Sequence, residues 1–356
     1  MWRFVLILQG GDKMIELKNP KGTMDYLPQE QKIRQNIVRG LQDVFEKYGY
    51  QPLETPILCH FEVLASKYAG GAEILKEVYK MNDQGDRELG LRYDLTVPFA
   101  KVVGMNPEMR MPFKRYEIGK VFRDGPVKTG RNREFTQCDV DVVGVSSMIA
   151  EAEYFAITID IFEMLGLPVY ISYNNRKLLS GLVEASSIDI ADASSVILSI
   201  DKLEKIGREG VSKELEEKGI NEDSIKKLFS FIEMKPMELL KYLSQNPMNE
   251  SIKEGLRELN ELNSYINAAQ LNDYVKLTPI LARGLEIYTG TIWEVFLKDG
   301  SITSSLGGGG RYDKIIGGFL ESDNEYPAVG MSFGLDVIYE ALKMKGAAEA
   351  IAPAEV

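Results

Sequence analysis

From Glu30 to Tyr48 the apolar residues Ile33, Ile37, Val38, Leu41, Val44, Phe45 and Tyr48 recur at three- and four-residue steps, which places them on one side of an α-helix. The following "YGYQPLETPIL" breaks that period with glycine and proline, so a strand is expected after the helix. "ELGLRYDLTVPFAKVV" (88–103), "FKRYEIGKVFRD" (113–124) and "EFTQCDVDVVG" (134–144) read as strands, Ser147 to Leu165 as a helix, and "LPVYISYN" (167–174) as a further strand. Residues 178–271 change character. They are rich in Lys, Glu, Leu and Ile, and both "DKLEKIGREGVSKELEEKG" and "SIKEGLRELNELNSYI" carry the helical period. Strand signals return in "KLTPILARGLEIYTGTIWEVFL" and the glycine-rich "SSLGGGGRYD", and "AVGMSFGLDVIYEAL" begins as a strand and finishes as a helix. Hairpin-like succession dominates, which predicts an α+β fold: an antiparallel sheet flanked by helices rather than a doubly wound one. The sheet domain is expected to be discontinuous, residues 14–177 with 272–344, interrupted by a helical insertion at 178–271. No internal repeat is visible.

Composition bounds the chemistry. With 356 residues and 44% hydrophobic content the chain can bury a sizeable core and exceeds the usual single-domain size. A formal charge of -11 gives no global reason to bind nucleic acid, so any such contact must use a local basic patch. Cys59 and Cys138 are the only cysteines and His60 the only histidine, which excludes a zinc ribbon, a Cys/His metal cage and a disulfide framework. No metal-ligating residue is assigned, and the chemistry falls to carboxylates, arginines and backbone. The opening "WRFVLILQGG" is shorter than a membrane span and has no obvious cleavage site. It reads as an N-terminal extension, residues 1–13, and a cytoplasmic protein without a membrane segment is expected. Residues 345–356 read as a flexible tail.

Against that acidic background, residues 122–144 stand out. A period of two puts Arg115, Glu117, Gly119, Val121 and Arg123 on one face of the first strand. On the second strand Phe135, Gln137, Asp139 and Asp141 share a face, with Thr136, Cys138, Val140 and Val142 on the other. One face is core and the other is chemistry. The loop between them, Asp124 to Arg133, carries Lys128, Arg131 and Arg133. Such a hairpin can hold Arg123 for bidentate contact with a phosphate, offer Phe135 as a flat surface for a base, and leave Gln137 and Asp141 for a cationic group. Taken alone, the loop better suits a surface hairpin with solvated charges, and the other segments shift the weighing. "LRYDLT" places Asp94 and Thr96 on one strand face, fit for an ammonium group or for a cross-strand ion pair with Arg92 or Arg115. "ARGLEIYTG" offers Arg283 and Tyr288. Four successive glycines in "SLGGGGRYD" suggest close backbone approach to a ligand, with a flexible hairpin as the other reading, and lack the Lys and Ser/Thr of a P-loop.

These segments in this order resemble the class II aminoacyl-tRNA synthetases, and within them the histidyl-tRNA synthetase family. The helix and strand ending at Pro56 resemble motif 1, residues 122–144 motif 2, and "ARGLEIYTG" and "GGGGRYD" the two histidine-specific signatures; the resemblance runs from Met14 to about Leu342. It implies a histidine–tRNA ligase: activation of L-histidine with ATP to histidyl-adenylate, then transfer to tRNA(His), with Mg²⁺ accompanying ATP and a homodimer built on motif 1. By the same resemblance Arg123, Arg283 and Gln137 are the catalytic set, and Arg123, Arg131, Phe135 and Arg283 bind ATP. Asp94, Thr96 and Gln137 hold the histidine ammonium, and Asp141 and Tyr288 bond the imidazole nitrogens. Two departures stand out. Val337 occupies the place of the usual motif 3 arginine, so that either another cation, such as Lys120, Lys128 or Arg311, substitutes or ATP use is impaired, and only a short tail follows Met344, so that the anticodon-binding domain is expected to be absent. The second departure brings in a rival, the histidine-sensing regulatory subunit of ATP phosphoribosyltransferase, which is a paralogue without charging activity. Arg283 and the full motif 2 set favour the ligase.

Overall fold

The computed structural model describes residues 17–66, 75–127, 132–283, 287–320, 322 and 324–346. Helix α1 (Pro28–Lys47) opens with Pro28, whose missing N–H is harmless in a first turn, and has Lys47 in its last. It stops at Gly49, whose φ of +82° is the left-handed conformation that favours glycine. Its inward face is Ile37, Leu41, Val44 and Phe45, joined by Arg34.

A short β1 (Gln51–Pro52) leads to a small three-stranded sheet formed by β2 (Leu58–His60), β3 (Lys80–Asn82) and β4 (Glu88–Leu91), with α2 (Phe61–Ser66) between the first two. The strand expected over 88–103 is cut short here. From Thr96 to Met105 the chain is helix α3, with Pro98 in its first turn, where proline is tolerated. Asp94 Oδ1 accepts the Val97 amide at the start of that helix, so Asp94 and Thr96 sit at a strand-to-helix turn and not on one strand face.

The main sheet is then laid down by β5 (Phe113–Phe122), β6 (Glu134–Val143), β7 (Val169–Asn175), β8 (Val275–Leu277), β9 (Thr291–Leu297), β10 (Gly307–Arg311) and β11 (Ala328–Gly334). Its order is β1-β5-β6-β11-β10-β9-β7-β8. Every pairing from β5 to β7 is antiparallel, and only the edge pairs β1/β5 and β7/β8 are parallel. This is the α+β sheet expected from the hairpin-like succession. Between β7 and β8 the chain forms α5 (Arg176–Ala185), α6 (Ala193–Ile200), α7 (Leu203–Glu217), α8 (Glu222–Ile232), α9 (Pro236–Gln245) and α10 (Glu250–Ala268). Asn175, Asn221 and Asn249 cap α5, α8 and α10 with their side-chain oxygens.

Helix α4 (Ile149–Met164), α1 and α12 (Leu335–Met344) cover one face of the sheet, and the short α11 (Ile315–Phe319) packs against α3. The core-facing row Cys138, Val140 and Val142 of β6 lies opposite Phe333, Met331 and Val329 of β11. Phe45, Phe162, Tyr154, Phe155 and Trp293 fill the space above, with ring centroids 5.5–6.1 Å apart in the pairs they form with each other and with Phe333. Phe45 is completely buried in this chain's own core, so most of the apolar stripe of α1 covers its own sheet. The opposite face of the same strands carries the polar residues.

Candidate active site

The strand register assembles that polar face row by row. Asp141 lies beside Arg115 of β5 on one side and Gly330 of β11 on the other; Asp139 lies between Glu117 and Ser332, and Gln137 between Gly119 and Gly334. Across β11, Gly330 and Ser332 meet Gly310 and Gly308 of β10, and Gly308 meets Glu294 of β9. The result is a floor with carboxylates on β6 and glycines beside them.

Those glycines are needed because other side chains of the site lie on top of them. A Cβ on Gly308 would fall 1.9 Å from Arg283 Nη1, one on Gly310 2.6 Å from the Tyr288 ring, and one on Gly330 1.9 Å from Asp141 Oδ1. The glycine run therefore receives the protein's own Arg283 and Tyr288. Close approach is made there by the protein's own side chains, and Gly307 and Gly308 also line the cavity that those side chains face.

A cavity of about 330 Å³ opens above this floor, lined among others by Asp94, Thr96, Arg123, Phe135, Gln137, Asp139, Asp141, Arg283 and Tyr288. All the described residues expected to act are thus brought to one place. Arg131, and with it Lys128, lies outside the described residues.

Two poles can be distinguished. At one, Arg123 lies with its guanidinium carbon 4.2 Å from the Tyr93 ring centroid and 5.0 Å from that of Phe135, and Nε donates to the Tyr93 carbonyl at 3.2 Å. Stacking of this kind fixes the plane of the fork and leaves its other donors for an anion. Arg283 donates from Nη1 to the Trp293 carbonyl at 3.0 Å, stands 3.9 Å from Glu294 and lies over the Tyr288 ring at 5.5 Å. Arg133, by contrast, folds back on its own loop, pairing with Asp124 at 3.1 Å and donating to the Gly125 carbonyl.

At the other pole sit Asp94, Asp139 and Asp141. Asp141 is 2% exposed and accepts from the Tyr312 hydroxyl at 2.5 Å. It also pairs with Arg115 Nη2 at 2.7 Å. Arg115 is fully buried, donates to the Leu95 carbonyl at 3.0 Å and rests 4.4 Å from the Phe99 ring centroid. Burial raises the Asp141 carboxyl, and Arg115 and Tyr312 pull it back. Asp139 makes no such close ion pair among the described residues. Burial and then the Asp141 carboxylate push it up to about 8, and Arg115 and the Ser332 hydroxyl pull it back only in part. Its Oδ1 and the Oε1 of Gln137 are buried acceptors with no hydrogen-bond partner among the described residues, the state of groups awaiting a donor.

Arg115 and Tyr312 were not singled out from the sequence. Arg115 could have been suspected because it alternates with Glu117 on the polar face; nothing local marks Tyr312 beyond its place after the glycines.

The cations expected to replace the motif 3 arginine are differently occupied. Arg311 is 2% exposed, donates from Nε and Nη2 to the buried Glu151 at 2.7 and 2.9 Å and from Nη1 to the Val145 carbonyl. It is a structural residue, which corrects the expectation that Arg311 substitutes for the motif 3 arginine. Lys120 pairs with Glu134 at 2.8 Å. Beside Val337, Asp336 accepts from Arg34 at 2.6 Å and from the Tyr26 hydroxyl at 2.7 Å, tying α12 to α1.

Among the described residues no group of three or more His, Cys, Asp or Glu side chains is placed to hold a metal ion, and no helix is long and apolar enough to cross a membrane.

Comparison with known proteins places this geometry in a family. The family model described as histidyl-tRNA synthetase matches residues 22–338. Histidine–tRNA ligase 1 of Bacillus anthracis is 54% identical over 93% of this chain and 78% of its own length. Histidine–tRNA ligase 2 of Shouchella clausii is 49% identical over 94% and 79%. The crystal structure of histidyl-tRNA synthetase from Nostoc sp. PCC 7120 superposes with a TM-score of 0.81 at 32% identity, covering 94% of this chain and 77% of that one. A structure titled ATP phosphoribosyltransferase regulatory subunit/histidyl-tRNA synthetase, from Bacillus halodurans C, has a TM-score of 0.80 over 93% of this chain and 84% of that one, but at 22% identity the likeness speaks to fold alone. A match of this extent, with relatives more than half identical over nearly the whole chain, shows that this chain belongs to the histidyl-tRNA synthetase family.

Proposed function

We propose that this chain is a histidine–tRNA ligase that activates L-histidine with ATP and transfers the histidyl group to tRNA(His). The observation that carries the reading is the two-pole cavity, with stacked arginines at one end and buried carboxylates at the other. An amino acid has a cationic end and an anionic end, and ATP is polyanionic. The cavity can hold both with the amino-acid carboxylate next to the α-phosphate.

In the proposed step a carboxylate oxygen of histidine forms a bond to the α-phosphorus, the bond to the bridging oxygen breaks, and pyrophosphate leaves with that electron pair. The nucleophile is already ionised, so no general base is required in this step, which suits a chain with one histidine. Arg123 and Arg283 offset the negative charge on the α-phosphoryl oxygens, Arg283 also reaches the substrate carboxylate, and Phe135 stacks on adenine. Asp94, Thr96 and the free Oε1 of Gln137 receive the ammonium, while Asp141 and Tyr288 bond the imidazole nitrogens. The described residues do not form a Mg²⁺ site. Any Mg²⁺ would enter with the ATP phosphates as their counter-ion, and no step here runs through it.

The domain division expected from the sequence, a catalytic unit interrupted by helices between β7 and β8, is kept as part of the proposal. So is a homodimer seated on α1. Pyrophosphate exchange into ATP tests the reading: it should depend on histidine and be abolished in Arg123→Ala.

A further inference from the structure

Gln137 is central to the ammonium site, and a glutamine amide works only one way round. Its oxygen attracts an ammonium group, while its NH₂ repels one. In this structure Nε2 donates to Ser332 Oγ at 3.0 Å, leaving Oε1 buried and free at the cavity. What holds the amide in this sense is the destination of the serine proton. If that proton pointed at Gln137, the amide would turn its oxygen to Ser332 and its NH₂ to the substrate.

Ser332 lies on the polar face of β11, directly opposite Asp139 on β6 and Gly308 on β10. Cross-strand neighbours of this kind have Cβ atoms about 4.5–5.5 Å apart. Glycine has no side-chain acceptor, and the side chain above Gly308 is Arg283, which only donates. Asp139 is therefore the acceptor for the serine proton among these neighbours. It is 3% exposed and directly across the ladder from Ser332, which places its carboxyl beside that hydroxyl.

We propose that Ser332 and Asp139 are positioning residues: a carboxyl oxygen of Asp139, its carbonyl oxygen when the group is protonated, accepts the hydrogen bond of the serine hydroxyl, the serine oxygen is then left to accept from Gln137, and the Gln137 carbonyl is fixed toward the amino group of the substrate. This rests on the functional reading above and adds to it the element that determines recognition of the amine.

The test is calorimetric binding of two ligands, histidine and 3-(imidazol-4-yl)propanoate, which lacks only the amino group. Ser332→Ala frees the amide to turn, so histidine should weaken on the order of tenfold, the scale of one hydrogen bond to a charged group. The des-amino compound should bind as it does to the unmodified chain, which also reports that the variant is folded. Ser332→Thr keeps the hydroxyl and should restore histidine. Asp139→Val removes the proton acceptor and should reproduce the selective loss should Ser332→Ala fail to fold. Equal weakening of both ligands, or no weakening of histidine, overturns the inference alone. No histidine binding by the unmodified chain overturns the functional reading together with it.

Discussion

Replacing Arg311 with methionine distinguishes a structural arginine from one that binds phosphate. The side chains of Arg311 and Glu151 are 2% and 0% exposed, and two of the guanidinium nitrogens lie within 2.9 Å of the carboxylate oxygens. Removing one member of such a pair leaves the other buried and uncompensated, which costs about 3–5 kcal/mol. Burial already raises Glu151 even with Arg311 beside it. Without the arginine the main offset to that rise is lost, which eases uptake of a proton and limits the loss toward the lower figure. At roughly 2 °C per kcal/mol for a chain of this size, the thermal midpoint should fall by about 6 °C. The double variant Arg311→Met, Glu151→Leu removes both charges and should recover most of that loss, since apolar replacement of a buried pair is often neutral. Differential scanning calorimetry of the single and double variants, with the KM for ATP measured below the transition, decides the matter. An unchanged midpoint with a KM for ATP raised tenfold or more would show that Arg311 serves the nucleotide and would refute the structural assignment.

Gly330→Ala should abolish histidine binding with a smaller loss of stability, because the new Cβ would stand 1.9 Å from Asp141 Oδ1 and 3.1 Å from the Tyr312 ring; retained calorimetric affinity would contradict that placement. The pH dependence of stability isolates Asp139. Its carboxyl is raised to about 8 in the fold, so the folded state holds a proton that the unfolded chain, with the ordinary value of 3.8, releases. Stability from this group is therefore full below that ordinary value and declines as pH rises toward 8; urea midpoints of Asp139→Asn should decline less between pH 5 and 8, and parallel curves would refute the shift. For the proposed dimer, light scattering should give twice 40.0 kDa, falling to the single mass in Val38→Asp. Val38 is the choice because it is only partly buried, whereas an acid at the fully buried Phe45 would unfold the chain. A single mass for the unmodified chain at micromolar concentration would exclude the dimer.

The sheet was legible because its strands alternate. Gln137, Asp139 and Asp141 against Cys138, Val140 and Val142 separate into a polar and a core face, and the register bears this out. The segment containing Asp94 misled because "TVPFAKVV" is apolar apart from Thr96 and Lys101, and a short apolar run does not tell strand from helix. The glycines of β10 signalled close approach but not by what, since their partners Arg283 and Tyr288 come from a segment about twenty residues earlier in the chain. Arg115 and Arg311 are similar in the sequence, each beside acidic residues. Only the packing shows that one supports Asp141 and the other Glu151.

The central claim, that stacked arginines and buried carboxylates make one site for activating histidine, is tested most directly by exchange of labelled pyrophosphate into ATP. The unmodified chain should catalyse exchange with histidine and not with phenylalanine or leucine, and Arg123→Ala should reduce it at least a hundredfold, the scale of about 3 kcal/mol of lost phosphate contact. Tight binding of histidine with no exchange at any ATP concentration would contradict the account and point instead to a protein that senses histidine without activating it.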